Sequence, residues 1–267
     1  MRPLSHPYLV SPPMIASLMM YNFPQLSGAH ARYWQAIRQE LTARGIDSPA
    51  SLSQEADVFS VWRAPGLVLS QTCGMPYRTQ LHDHVTYVGT PDFGLKDCAP
   101  GHYRSAFVVR RDDPRTKLGD FRDARFAYNQ TISQSGWAAP HAHLRPQGWW
   151  FRDLYQSHGH VLSAHAVAEG HADIASLDAQ TWVLIGHHDP VAAQLRVLEW
   201  TAPTPGLPYI AGPNADAQAT ADAVSAAITR LSVADAAALC LRGLVQIPAA
   251  TYLAVPNPPQ SDRPDID

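Results

Sequence analysis

Residues 127–136 read AYNQTISQSG, and this stretch decides the fold prediction. A short apolar strand at 125–128 leads into a loop of amide and hydroxyl side chains that ends at Gly136. A helix is predicted to begin at Ser135 or just after it. Free backbone N–H groups and the positive end of the helix dipole would suit an anion, and Ser133 and Ser135 would add hydroxyl donors. An ordinary serine N-cap before a glycine turn explains the same residues, so both interpretations stay open.

Strand and helix patterns alternate along the rest of the chain. Further strands are predicted at 14–20, 58–62, 66–70, 84–89, 103–110, 172–177 and 195–200, and helices around 34–41, 161–169, 224–231 and 233–244. This alternation indicates an α/β fold with mostly parallel sheets. With 267 residues, 46% of them apolar, the chain is long enough for two such sheets in two lobes.

Composition excludes several classes of protein. The net charge is −3 and lysine occurs only twice, so a basic face for nucleic acid is not predicted. No apolar run approaches the roughly 20 residues that span a bilayer. Cys73, Cys98 and Cys240 form no CxxC pair, which excludes a zinc ribbon and a disulfide-dense scaffold. Free buried thiols are favoured, and a single bridge stays possible.

Two further stretches place polar groups where ligands bind. Residues 157–160, Ser-His-Gly-His, come directly before the helix at 161, and an imidazole there could donate a hydrogen bond. Asp178 ends the strand at 172–177, and open α/β sheets bind ligands at the carboxyl ends of their strands. The loop at 70–77 also follows a predicted strand.

The histidines and Cys73 offer other chemistry. Thirteen histidines include four close pairs, but pairs in loops do not form a closed ligand set, and scattered solvated histidines are favoured over a metal site. Cys73 could be a nucleophile paired with a distant histidine. No nucleophile signature surrounds it, so a packed thiol at a strand end is the favoured interpretation.

Several motifs, taken in order, resemble one family: the phosphate, phosphite and phosphonate substrate-binding proteins of ABC transporters. The similarity spans about residues 14–212 and is closest to a divergent branch with a Gln-Thr-Cys-Gly loop. The motifs are SLMMY at 17–21, SQTCGMPY at 70–77, YRSAFVVR at 103–110, Asn129, SQSG at 133–136, SHGH at 157–160 and GHADIA at 170–175.

The resemblance implies the type II periplasmic-binding-protein fold, with a ligand cleft between two lobes joined by a hinge. Lobe one would comprise 1–104 and 201–267, and lobe two 105–200. The implied protein is a monomer without a cofactor that captures a small oxyanion, a phosphonate or phosphate compound, for an ABC permease. The family is periplasmic. Residues 1–13 contain no apolar signal segment, so a cytoplasmic location is predicted if Met1 is the native start.

The same resemblance implies the ligand-binding residues. The anion loop falls on 133–136, and the imidazole on His160, with His158 one slip away. The remaining positions are Tyr21 after the first strand, the Gln71–Thr72 loop with Tyr77 as an aromatic wall, and Asp178, which complete the set with Ser133, Gln134, Ser135 and Gly136.

No matched position is lysine or arginine, so an anion would be held by helix ends, hydroxyls and one histidine. Asp178 would repel a phosphonate unless it meets a ligand ammonium or keeps its proton. A zwitterionic aminoalkylphosphonate would satisfy both ends. Two alternatives stay open: a cytoplasmic enzyme or sensor that reuses the fold with Cys73 or the histidines in a chemical role, and a metal-uptake protein that uses the paired histidines.

Overall fold

The computed structural model describes residues 12–262 and Pro264. The segment on which the signal-peptide prediction rests, residues 1–13, lies outside the described residues except for its last two positions. Within 12–262, no helix has the length and apolar character needed to cross a membrane.

The described strands form two five-stranded sheets and one short ribbon. The first sheet has the order β1-β2-β11-β3-β12, the second has the order β7-β6-β8-β5-β9, and β4 pairs with β10 in the ribbon. The strands are β1 Ile15–Ser17, β2 Leu67–Gln71, β3 Thr86–Asp92, β4 His102–Tyr103, β5 Ser105–Arg110, β6 Arg125–Tyr128, β7 Asp153–Gln156, β8 Ile174–Asp178, β9 Leu195–Trp200, β10 Thr204–Pro205, β11 Tyr209–Ala211 and β12 Gly243–Val245.

Helices pack against both sheets. They are α1 Ser27–Ala43, α2 Val58–Trp62, α3 Gly74–Pro76, α4 Ala139–Leu144, α5 His160–Ala168, α6 Ala179–His188, α7 Ala217–Thr229, α8 Val233–Ala238 and α9 Ala249–Leu253. Two π-helical turns, Tyr77–Leu81 and Gln134–Ala138, directly follow α3 and precede α4.

The α/β class is confirmed, but the prediction of mostly parallel sheets is wrong. Among the described strands, only β1–β2, β6–β7 and β6–β8 pair in parallel, and the other sheet pairings are antiparallel. In the second sheet, β5 runs opposite to the other four strands, and in the first sheet β11 and β12 run opposite to β1, β2 and β3. Strand β5 brings the chain into the second sheet and β11 brings it back into the first, so neither follows a strand and a crossover helix of its own sheet.

A second correction concerns residues 58–62, which form helix α2 and not the predicted strand. The β-branched and aromatic residues Val58, Phe59, Val61 and Trp62 suggested a strand. Asp57 decides otherwise, because its carboxylate caps the helix by accepting a hydrogen bond from Ser60 N at 2.8 Å. The helix buries Val61 and Trp62 against the first sheet.

Each sheet has its own apolar core on both faces, and a smaller cluster joins the two. That joining cluster includes Tyr21, Leu26, Tyr103, Leu184 and Leu207. Leu184 belongs to α6, on the second-sheet side, whereas Tyr21 follows β1 of the first sheet. The two halves are therefore in direct contact, and the loops that follow β1, β2, β6 and β8 meet in the space between them.

Candidate functional site

A cavity of about 80 Å³ lies between the two sheets. Its lining combines residues that follow β1, β2, β6 and β8 with the side of helix α2. The lining residues are Met20, Tyr21, Val58, Trp62, Cys73, Pro76, Asn129, Gln130, Ile132, Ser133, Ser135, His160, Asp178, Thr181 and Leu207. Five of the predicted ligand-binding residues, Tyr21, Ser133, Ser135, His160 and Asp178, are therefore brought together.

The predicted anion loop forms the start of a helical segment. Ser133 is the N-cap, and its Oγ accepts a hydrogen bond from Gly136 N at 3.0 Å. Ser133 and Ser135 line the cavity, while Gln134 and Gly136 are buried in the same turn. Gly136 has a steric reason to be glycine, because a Cβ at this position would overlap the Asn129 Oδ1 atom. The side chain of Asn129 can therefore lie over the turn.

His160 contacts the loop directly. Its Nε2 lies 2.8 Å from Ser135 Oγ and 3.5 Å from Asn129 Nδ2. Burial lowers the pKa of His160 to about 4, so the imidazole is neutral at pH 7 and can take part as a hydrogen-bonding group without charge. His158 is exposed, has a φ of 68°, and does not line this cavity.

Asp178 ends β8 and caps helix α6. Its Oδ1 accepts a hydrogen bond from Thr181 N at 2.8 Å, and its Oδ2 accepts one from the Tyr21 hydroxyl at 3.1 Å. Burial raises the pKa of Asp178 to about 6, which these hydrogen bonds partly oppose. At pH 7 the group is therefore mainly a carboxylate, and it places a negative charge in the wall of the cavity.

Cys73 is a cavity residue that the sequence prediction did not include among the ligand contacts. Its Sγ accepts a hydrogen bond from Gln134 N at 3.2 Å, so a thiol from the first-sheet side meets the anion loop on the second-sheet side. Burial raises the pKa of this thiol, which keeps it protonated at neutral pH. No local pattern marks this contact, because it depends on how the two sheets face each other.

Five predicted residues do not line the cavity: Gln134 and Gly136, which are buried in the anion-loop turn, and Gln71, Thr72 and Tyr77. Gln71 Nε2 donates to Leu207 O at 3.1 Å, and the side chain of the fully buried Thr72 hydrogen-bonds to Cys73 O at 3.4 Å. Tyr77 packs edge-on against Tyr252, with ring centroids 5.1 Å apart, in the core of the first-sheet side. Trp62 supplies the aromatic wall instead.

Among the residues that the structure describes, no lysine or arginine lines the cavity. The buried Arg78 lies close in sequence to Cys73, but its Nε donates to Asn257 Oδ1 at 2.7 Å and it contacts Pro256 O at 3.2 Å. No group of three or more His, Cys, Asp or Glu side chains suited to a metal ion occurs in the described part of the chain. The polar groups available are hydroxyls, amides, a neutral imidazole, a thiol and one carboxylate.

Two sheets with a polar cavity between them define a ligand-binding protein of the type II periplasmic-binding-protein fold. The profile of one family, described as "ABC transporter, phosphonate, periplasmic substrate-binding protein", matches residues 86–250. The chain belongs to this family, as its sequence motifs predicted. It is accordingly a substrate-binding protein of the ABC-transporter type.

Solved structures agree on the fold. PhnD1 from Prochlorococcus marinus in complex with methylphosphonate has a TM-score of 0.67 at 15% identity, covering 90% of this chain and 94% of that one. A binding protein component of an ABC phosphonate transporter from Pseudomonas aeruginosa has a TM-score of 0.67 at 16% identity, with 91% and 84% covered. A Xanthomonas citri protein bound to ATP has a TM-score of 0.66 at 16% identity, with 89% and 92% covered. A search of curated protein sequences finds no significant match.

Proposed function

We propose that this protein captures a small phosphonate that also carries an ammonium group, and presents it to an ABC permease in the periplasm. The observation that carries the proposal is the composition of the cavity. Hydroxyl groups of the anion loop and the imidazole at the start of α5 line the same cavity as a buried carboxylate, and none of the described residues around them is lysine or arginine. The methylphosphonate bound to the similar Prochlorococcus marinus protein supports the phosphonate end of the ligand.

The electrostatics favour a zwitterion. Ser133, Ser135 and His160 offer hydrogen bonds to an oxyanion, but all three are uncharged at neutral pH. The carboxylate of Asp178 lies in the same cavity, where the low dielectric strengthens its repulsion of an anion. An ammonium group on the ligand turns this repulsion into an attraction and neutralises the buried charge.

On this proposal the protein is a monomer that captures its ligand by closing two lobes. One lobe comprises residues 105–200 and the other comprises the remainder of the chain. The β4–β10 ribbon and the segments beside it would form the hinge. No chemical step is part of the proposal, since burial raises the pKa of Cys73 and a neutral thiol is a poor nucleophile.

The first test is thermal unfolding with methylphosphonate, aminoethylphosphonate, phosphate, sulfate and Zn²⁺. A ligand at about 100 times its Kd adds roughly 2.7 kcal/mol to the unfolding free energy. We expect aminoethylphosphonate to give the largest shift, and the double variant Ser133→Ala/Ser135→Ala to lose it. A shift with Zn²⁺ alone, or with none of the five, would contradict the phosphonate assignment.

A matched variant separates ligand binding from helix capping. Ser232 caps α8 as Ser133 caps its own turn, with Oγ accepting a hydrogen bond at 3.0 Å in both cases. Ser133→Ala and Ser232→Ala should each cost about 1 kcal/mol of stability. Only Ser133→Ala should also reduce the ligand-induced shift.

Asp178→Asn tests the ammonium contact. Asparagine caps helices as well as aspartate does, so the α6 start should persist. We expect about tenfold weaker binding of aminoethylphosphonate and tighter binding of methylphosphonate, measured by calorimetry. If both affinities stayed the same, Asp178 would not face the ligand.

A further inference from the structure

A much larger cleft adjoins the cavity. It has a volume of about 690 Å³ and lies between the same two sides of the molecule. Six residues line both spaces: Met20, Val58, Asn129, Gln130, His160 and Thr181. The two spaces are therefore adjacent, and the volume of the cleft is in the size range of small-molecule sites.

The cleft exists although the two sides of the molecule already touch. Tyr21 donates to Asp178 at 3.1 Å and Gln134 N to Cys73 Sγ at 3.2 Å, both across the inner cavity. At the cleft, Gln25 Nε2 donates to His188 O at 3.5 Å. The cleft is therefore present while these hydrogen bonds hold the two sides of the molecule in contact.

The charges of the cleft restrict what it can hold. Glu55 and Asp189 contribute carboxylates, and within the described part of the chain no lysine or arginine lines the cleft. A second anionic group on the ligand would therefore meet negative charge without a compensating cation. This excludes ligands with additional phosphate or carboxylate groups beyond the head.

The cleft also offers apolar surface. Phe23, Val161 and Leu162 line it together with the methionines Met19 and Met20. The Leu162 side chain is 55% exposed and leaves apolar area for a ligand to cover. The ring centroids of Phe23 and His188 lie 6.1 Å apart across the cleft, one ring on each side of the molecule.

We propose that this cleft is a second subsite, which takes a bulky, uncharged or cationic and partly apolar substituent of the phosphonate. The inference rests on the proposed function, because it needs the oxyanion head in the inner cavity. The favoured ligand class is thus a phosphonate with an organic group larger than aminoethyl, and a head-only ligand fills only part of the site.

The test compares three phosphonates by calorimetry on the full chain. Methylphosphonate has the head alone, phenylpropylphosphonate adds an apolar body, and carboxypropylphosphonate adds a body of similar reach that ends in an anion. We expect phenylpropylphosphonate to bind roughly tenfold tighter than methylphosphonate, since covering apolar surface on Leu162 and Phe23 is favourable. Carboxypropylphosphonate should bind more weakly than methylphosphonate.

Leu162→Ser and Leu253→Ser form a matched pair of variants. Both leucines are largely exposed, at 55% and 47%, but Leu253 lies on α9 and lines neither space. Leu162→Ser should reduce the advantage of phenylpropylphosphonate over methylphosphonate at least threefold, and Leu253→Ser should leave it unchanged. Because Leu162 is exposed, the variant should fold normally.

Two failures can be told apart. Equal affinity for methylphosphonate and phenylpropylphosphonate, with both lost in Ser133→Ala/Ser135→Ala, would overturn the subsite and leave the phosphonate head site intact. Tighter binding of carboxypropylphosphonate than of phenylpropylphosphonate would also overturn it. If none of the three bound, the phosphonate head site would fall, and the subsite with it.

Discussion

The two walls of the inner cavity differ in chemistry. The second-sheet side supplies most of the polar groups: Asn129, Gln130, Ser133, Ser135, His160, Asp178 and Thr181. The first-sheet side supplies mainly apolar surface from Met20, Val58, Trp62, Pro76 and Leu207, with only Tyr21 and Cys73 as polar contacts. The difference indicates a division of labour. The second-sheet side, called the polar wall below, would recognise the ligand. The first-sheet side, called the covering wall below, would cover the ligand and exclude water.

The largest expected effect is a change in the pH dependence of stability, which two buried groups of the polar wall control in opposite directions. Burial raises the pKa of Asp178 to about 6 and lowers that of His160 to about 4. Asp178 therefore contributes stability that is present at low pH and is lost as the pH rises to about 6. His160 contributes stability that is present above about pH 6.5 and is lost as the pH falls to about 4. In the wild type these two dependences oppose each other.

Single variants should expose each dependence. Relative to the wild type, His160→Gln should lose about 3 kcal/mol of unfolding free energy between pH 4 and 6, because Asp178 alone remains. Asp178→Asn should gain about 3 kcal/mol over roughly the same range, because His160 alone remains. Denaturant titrations at several pH values measure both slopes. Profiles parallel to the wild type in both variants would show that neither group is buried as described.

The next effect concerns the turn that carries the polar wall. Gly136→Ala should cost about 2 kcal/mol, because the new Cβ would overlap the Asn129 side chain. Gly186→Ala is the matched control, since Gly186 lies within α6 and no atom lies near the position of its Cβ. It should stabilise the protein by up to about 1 kcal/mol. Chemical denaturation compares the two, and equal effects would mean that the Asn129–Gly136 contact does not form.

The smallest effect lies on the covering wall. Tyr21→Phe removes the hydroxyl that donates to Asp178 Oδ2 at 3.1 Å, and should cost about 1 kcal/mol at pH 7. Tyr155→Phe removes an exposed hydroxyl from β7 and should change stability by less than about 0.5 kcal/mol. A loss in Tyr21→Phe that is as large at pH 4 as at pH 7 would contradict a bond to the ionised carboxylate.

The polar wall could be predicted from sequence because its signals are local. Ser133 and Ser135 follow a short strand at the start of a helix, and Asp178 ends another strand. His160 opens α5 directly after a glycine. Each of these residues lies at its own strand–helix junction, so the local sequence marks these regions, and the family resemblance favours His160 over His158.

The covering wall could not be predicted in the same way. Gln71 ends β2 and Thr72 follows it, but both side chains hydrogen-bond within the first-sheet side. The next residue, Cys73, reaches the cavity. Trp62 lines the cavity because residues 58–62 form a helix that Asp57 caps. The β-branched and aromatic residues of this segment predicted a strand instead. Which of these side chains faces the cavity depends on how the two sheets pack against each other, and no short sequence motif encodes that packing.

The contact between Asn129 and Gly136 also constrains how this site can evolve. Because the Asn129 side chain occupies the place of a Cβ at position 136, a larger residue at 136 requires the Asn129 amide to move or to be lost. A lineage that replaced Gly136 would first have to shorten residue 129, and would then lose an amide that lies 3.5 Å from His160 Nε2. Divergence of the ligand is therefore easier through the apolar covering wall than through this pair.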